Sequence, residues 1–102
     1  MAHIRRKFFD VHAAQGSAIA AQALEKIAQI YKIESEIRGK PPDKRKEIRQ
    51  NKARPLFDDL QIWLAAQQTK ISGKTPLAGA IRYALTRMKN LAPYRRSWLF
   101  RA

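Results

Sequence analysis

The sequence predicts an all-α fold, an antiparallel helical bundle of about four helices, and three observations carry that prediction. Apolar residues recur at helical spacing through four stretches of the chain. Gly and Pro fall between those stretches, where helices stop. No segment sustains the period-two alternation that marks a strand.

The first helix is expected from about Ala2 to Ala14. Ile4, Phe8 and Val11 stand at i, i+4 and i+7 on one face, and Phe9 widens it. Gly16 ends this helix, and the Ser17 hydroxyl is placed to cap the next one by accepting from an otherwise unpaired amide. The second helix then continues to about Ile37 on a stripe of Ala20, Leu24, Ile27, Ile30, Tyr31 and Ile37. Gly39 closes it, and Pro41-Pro42 forbids continuation.

The third helix is expected from Pro42 to about Ile71, with Ile48, Leu56, Leu60, Trp63, Leu64 and Ile71 on its buried side. Pro55 falls in its middle. Proline lacks an amide donor and its ring crowds the carbonyl of Asn51, so a kink or break is expected there. The fourth helix has the clearest start, with Thr75 as N-cap and Pro76 as first helical residue. Leu77, Ile81, Ala84, Leu85, Met88 and Leu91 follow at helical spacing, and Pro93 stops it. The chain therefore divides into a helical domain, residues 1–93, and a short basic-aromatic tail, residues 94–102.

Charge narrows the partner class. Among 102 residues, 21 are Lys or Arg and 8 are Asp or Glu, for a formal net charge of +13. So large a charge on one small domain repels itself unless counterions or a polyanion screen it, which makes nucleic acid the leading partner. The absence of cysteine excludes disulfides, a thiol nucleophile and cysteine-held zinc. The apolar runs are far shorter than the roughly 18 residues that span a bilayer, so no membrane partner is expected and the cytosol is the default location.

A catalytic centre is not expected. Asp58 and Asp59 are adjacent, about 100° apart around a helix, and do not converge on one ion. Glu34 with Arg38, and Arg54 with Asp58, have the spacing of i,i+4 ion pairs on a solvated face. His3 and His12 lack the i,i+4 spacing that presents two metal ligands together. No Gly-rich phosphate loop or nucleophile motif is present, and neither a metal nor a cofactor is implied.

The basic clusters are more informative. Arg5, Arg6 and Lys7 form the first. The second runs from Arg38 to Arg54 and includes Lys44, Arg45, Arg49 and Lys52. On a regular helix, Arg45, Arg49 and Lys52 stand at i, i+4 and i+7, a row able to follow a phosphate backbone and release counterions. The alternative is a charged, solvated helix end. With no aromatics nearby, such a row contacts the backbone without reading bases. The third cluster is Tyr94-Arg95-Arg96-Ser97-Trp98-Leu99-Phe100-Arg101. Its interleaved rings and cations can stack on unpaired bases, or the rings can fold back and plug the bundle.

The opening Ala2-His3-Ile4-Arg5-Arg6-Lys7-Phe8-Phe9-Asp10 resembles the Ala-His-x-Arg-Arg-Lys-Phe signature of the insertion-sequence sixty-six transposase family. The likeness continues through Ala14-Gln15-Gly16-Ser17, the stretch Ile33 to Lys40, Arg54-Pro55-Leu56, Ser72-Gly73-Lys74 and Ala80 to Arg87. The resemblance implies a relative of enzymes whose RNase H-like core holds two divalent metals on a triad of carboxylates. Within that plan the chain looks like the helical insertion between the second and third carboxylates. The family's two Asp would lie upstream of Met1, where the family has Cys-Trp or similar. The Glu of its Asn-Asn-x-x-Glu-Arg segment would follow the fourth helix, and the sequence from Leu91 onward lacks that segment. Arg95 to Phe100 resembles the stretch found beyond that Glu.

Three functional readings follow. The first is a truncated, catalytically incompetent transposase fragment that binds DNA weakly and with tolerance of sequence through Arg5, Arg6, Lys7, Lys44, Arg45, Arg49, Lys52, Arg95 and Arg96, and is nucleoid-associated when bound. The second is a self-association module that buries Phe8, Trp98, Leu99 and Phe100 between chains. The third is a pseudogene product without a selected function.

Overall fold

A computed structural model describes residues 2–91 of the chain. Five α-helical segments follow one another: α1 (Ala2–Gln15), α2 (Ala18–Ile37), α3 (Pro42–Ile48), α4 (Arg54–Gln68) and α5 (Pro76–Leu91). A π-helical turn, Arg49–Ala53, joins α3 to α4 without a break, so the chain path is that of four helices. No strand occurs among the described residues.

Side-chain caps set the starts of α2 and α5. Ser17 Oγ accepts from the amide of Ala20 at 3.2 Å, which satisfies one of the unpaired donors of the first turn of α2. Thr75 Oγ1 does the same for the amide of Ala78 at 3.1 Å and also donates to the Ser72 carbonyl at 3.0 Å. The first two helices end on glycines in the left-handed region, Gly16 at φ 62° and Gly39 at φ 91°, which residues with a Cβ adopt only under strain.

The interruption expected at Pro55 takes a different form from a break. An α-helix in register would need an amide at position 55 for the Asn51 carbonyl, and proline has none. Just upstream the hydrogen bonding widens by one residue, with the Arg54 amide donating to the Arg49 carbonyl. A π-turn of this kind takes up one extra residue and keeps the helix continuous. α4 ends at Gln68, short of the expected Ile71. Thr69 closes it, its hydroxyl donating to the Ala66 carbonyl at 2.8 Å. Ile71 instead packs against the core from the connector.

One apolar core runs through the bundle. α1 supplies Ile4, Phe8 and Val11, and α2 supplies Ala20, Ala23, Ile27 and Ile30. Phe57, Leu60 and Leu64 come from α4, and Leu77, Ala80, Ile81, Ala84 and Met88 from α5. Each helix packs on two neighbours in the closed order α1, α2, α4, α5. Most of the expected stripe is buried, with Leu24, Tyr31, Leu56, Trp63 and Leu85 at its half-buried margins. Phe9 departs from expectation: it is 49% exposed, whereas Phe8 is fully buried. One step of about 100° around α1 carries the second ring out of the core. Phe8 is therefore a core residue of the single chain and is not available to an interface between chains.

The antiparallel arrangement is visible in pairs of residues. Arg5 of α1 meets Tyr31 of α2, far along the returning helix. Arg49 meets Glu34, whereas Trp63, further along the chain, meets Lys26, earlier on α2. Lys7 of α1 lies over Tyr83 of α5.

Candidate nucleic-acid interface

The topology brings two sequence-distant basic stretches to one end of the bundle. The first turns of α1 lie beside the last turns of α2, with Ala2 and Arg5 lining a shallow concavity together with Ala28 and Tyr31. One helical turn beyond Tyr31, Glu34 meets Arg49 of the π-turn. Arg5 therefore lies along the C-terminal half of α2, the helix on which the stretch from Lys44 to Arg54 also packs, while Lys7 is turned toward α5. α5 runs antiparallel to α1 and ends at this same end of the bundle.

The α1 cations are exposed at differing degrees of engagement. Arg6 Nε lies 3.0 Å from Asp10 Oδ1 on the same helix face. Lys7 Nζ stands 5.0 Å from the centre of the Tyr83 ring, and the Arg87 guanidinium stands 4.8 Å from it. Arg5 is exposed, and a second shallow concavity on its other side is lined by Ala2, His3, Arg5, Arg6 and Phe9. No acidic residue occupies the first turn of α1, so the positive pole of the helix dipole adds to these charges.

The second basic stretch is not the straight row that regular helical steps predict. Lys44 and Lys52 are exposed, and Arg45 is half-buried with its Nε enclosed. Arg49 is turned toward the bundle, its Nε 3.5 Å from Glu34 Oε1. The π-turn spans positions 49–53, so the 100° step that would align Arg45, Arg49 and Lys52 does not hold across it. Lys44 Nζ is 3.9 Å from Glu47 Oε2 with both side chains well exposed, a contact too solvated to hold the lysine from a phosphate. Arg95 and Arg96 lie outside the described residues, as do Tyr94, Trp98, Leu99 and Phe100.

Glu34 is the polar residue that sequence reasoning placed wrongly. Its expected partner, Arg38, lies beyond the helix end, with extended backbone at φ −60° and ψ 127°, and so cannot stand over Glu34 in i,i+4 geometry. The carboxylate is 6% exposed and faces Arg49 instead. Burial pushes its pKa above the ordinary carboxylate value, and Arg49 opposes that shift in part through its charge and a hydrogen bond. A signal was present in the sequence: position 34 lies at i+7 from Ile27 and i+4 from Ile30, on the apolar stripe itself. The other expected pair is present, Arg54 Nε to Asp58 Oδ1 at 3.3 Å.

Among the described residues, no three His, Asp or Glu side chains gather as a metal ion would require. No described helix is long and apolar enough to cross a membrane. The geometry offers a positively charged bundle end with concave, partly aromatic ground around Arg5.

Comparison with known proteins places this geometry in a family. Residues 1–97 match the model of the Transposase IS66 family. The chain is 40% identical over 91 residues to the uncharacterized protein y4qI of Sinorhizobium fredii, an alignment covering 88% of this chain and 17% of that protein. From the same organism, the uncharacterized protein y4jD is 37% identical over 91 residues, covering 89% of this chain and 18% of the relative. The uncharacterized protein y4hP is 32% identical over 103 residues, covering 89% and 19% respectively. The chain thus spans less than a fifth of the length of these relatives. No solved structure matches it. A family match across nearly all of a 102-residue chain decides the assignment: the chain belongs to the IS66 family of transposases.

Proposed function

We propose that this chain is a DNA-contacting helical module of an IS66-family transposase, and that it grips phosphates with the basic end of its bundle. The observation that carries the proposal is convergence. Arg5, beside Ala28 and Tyr31, and the π-turn stretch with Lys44, Arg45 and Lys52, tied to Glu34 through Arg49, are remote in sequence and both lie along the C-terminal half of α2. Arg95 and Arg96 follow the helix that ends there, and the proposal includes them. Arg49 serves mainly as the tether that holds the π-turn on Glu34.

Contacts of this kind are electrostatic and tolerant of sequence, because they reach phosphate and sugar and leave the base edges unread. The proposal assigns binding to this chain and does not assign strand transfer to it. Two-metal transfer requires carboxylates that converge on the ions. Asp58 is paired with Arg54, and Asp59 is exposed beside it with no acidic cluster around it.

Fluorescence anisotropy with a labelled duplex, at 50 and 200 mM salt, tests the reading. If about six phosphates are contacted, log K falls with log salt at a slope near −5. Absence of binding at the lower salt concentration removes the proposal.

A further inference from the structure

The ground around Arg5 differs from the rest of the basic end, because it combines cations with aromatic faces. Phe9 stands one turn after Arg5 and is 49% exposed. Tyr31, half-buried on α2, lies on the other side. Two shallow concavities meet at Arg5 and Ala2. One reaches Phe9 past His3 and Arg6, and the other reaches Tyr31 past Ala28. The Arg5 guanidinium is close enough to the Tyr31 phenol to oppose the rise in its pKa that burial causes.

Among the described residues, the other rings with exposed edges are already covered by cations of the protein. Tyr83 lies between Lys7 and Arg87, and Trp63 lies under Lys26. No cation among the described residues covers the face of Phe9 or Tyr31 in this way. Small residues, Ala2 and Ala28, line the concavities beside them and leave room for a flat group. Asp10, the acid on α1, is engaged by Arg6. The patch is therefore cationic, concave and aromatic.

We propose that Arg5, Phe9 and Tyr31 form a stacking site for unpaired nucleobases, so that the module holds single-stranded DNA beside the duplex. The inference rests on the nucleic-acid reading above and adds to it a second mode of contact. Duplex phosphates are met by the charges alone, whereas the rings engage only where bases are unstacked. The planar guanidinium of Arg5, which lines both concavities, offers a third flat face. Rings and cations placed in this way take any base, because every base has a π-face. A protein partner of matching charge would need acidic groups around an apolar insert, and such binding is distinguished by the same experiment.

The test uses the full chain, a labelled oligothymidine strand and a labelled duplex of equal length, titrated at equal low salt. Phe9→Ala is expected to weaken single-strand binding by about 5- to 150-fold, the equivalent of roughly 1–3 kcal/mol for one stacked base, with duplex binding changed less than about twofold. Arg5→Lys keeps the charge that both DNAs meet and is expected to weaken the single strand more than the duplex, and Tyr31→Leu, which removes the second ring, is expected to do the same. Equal weakening on both DNAs, or no weakening by Phe9→Ala, overturns the stacking site while leaving the duplex reading intact. Binding of neither DNA by the parent chain overturns the nucleic-acid reading itself. A Phe9→Ala variant that changes sedimentation behaviour, with single-strand binding kept, would instead assign the ring to contact between chains and overturn the site. Because Phe9 is exposed, Phe9→Ala is expected to leave the helical circular dichroism unchanged.

Discussion

Arg49 Nε stands 3.5 Å from Glu34 Oε1, linking the π-turn to the last turns of α2. The two partners are unequally buried, the arginine side chain 24% exposed and the carboxylate 6%. That asymmetry decides what each loss costs. An arginine deprived of its partner still reaches water, but a carboxylate at this depth does not. Arg49→Ala is therefore expected to lower unfolding free energy by about 3 kcal/mol, near the lower bound for breaking a buried pair. Chemical denaturation measures it. A loss under about 0.5 kcal/mol, in the range of ordinary surface substitutions, would show that the pair does not hold the turn.

The same carboxylate makes stability depend on pH. Its pKa is raised above the ordinary value of 4.5, first by burial, with Arg49 offsetting part of the effect. A raised carboxyl pKa means that the folded state binds the proton more tightly than the unfolded chain does. Stability from this group is thus fully present below 4.5 and is lost as pH rises through the folded value. Glu34→Gln imitates the protonated form and removes that loss. Its stability relative to the parent should rise between acid and neutral pH, with the variant at least as stable as the parent at pH 7. A constant difference across that pH range would contradict the assignment.

Adjacent phenylalanines on α1 provide a sharper contrast. Phe8 is fully buried among core residues, whereas Phe9 is 49% exposed. Phe8→Ala is expected to cost about 3–5 kcal/mol through lost burial and the cavity left behind. In a domain of this size that is a large share of total stability. Phe9→Ala should change stability by less than about 0.5 kcal/mol. Equal effects from the two substitutions would mean that α1 is rotated from the orientation described.

Much of this fold was legible from the sequence because its signals are local. Ser17, Gly39, Thr75 and Pro76 each act on a backbone group within a few residues, so the ends of α2 and the start of α5 could be read directly. The stripe of Ile4, Phe8 and Val11 needs only the helical period. What escaped depends on two elements at once. The burial of Glu34 becomes visible only when Arg49 arrives from another helix. Pro55 announced an interruption, but whether the chain breaks or widens into a π-turn depends on what holds the flanking segments. The basic clusters could be counted in the sequence, yet their meeting at one end of α2 is a property of topology. The Phe9 ring was misassigned because helical periodicity gives an apolar face without a sharp edge.

The caps offer a test of the local reading. Ser17 Oγ and Thr75 Oγ1 each accept a backbone amide, at 3.2 Å and 3.1 Å. Replacing either by Ala is expected to cost about 1 kcal/mol, or roughly 4–8 °C in Tm for a domain of this size. Thr75→Ala should be the worse of the two, because that hydroxyl also donates to the Ser72 carbonyl at 3.0 Å. Thr75→Ser keeps the oxygen and should recover most of the loss. If thermal melts placed both alanine variants within 1 °C of the parent, water would be replacing the side chains and the caps would not be stabilising.

The two ends of the bundle carry different consequences for DNA. Lys44 and Lys52 are exposed at the end where the basic stretches meet, whereas Lys70 and Lys74 are exposed on the connector between α4 and α5, at the opposite end. All four are solvated lysines, so net charge alone would make them equivalent. A phosphate contact is local, however, and each one lost should flatten the salt dependence by about one unit of slope. The double variant Lys44→Ala, Lys52→Ala is therefore expected to flatten the slope by about 2 and to weaken binding at 100 mM salt. The double variant Lys70→Ala, Lys74→Ala removes the same charge and should leave the slope close to the parent value. Anisotropy titrations across salt separate the two cases. Equal flattening by both pairs would mean that DNA responds to the overall charge of the domain, and that convergence of the basic stretches confers no particular binding face.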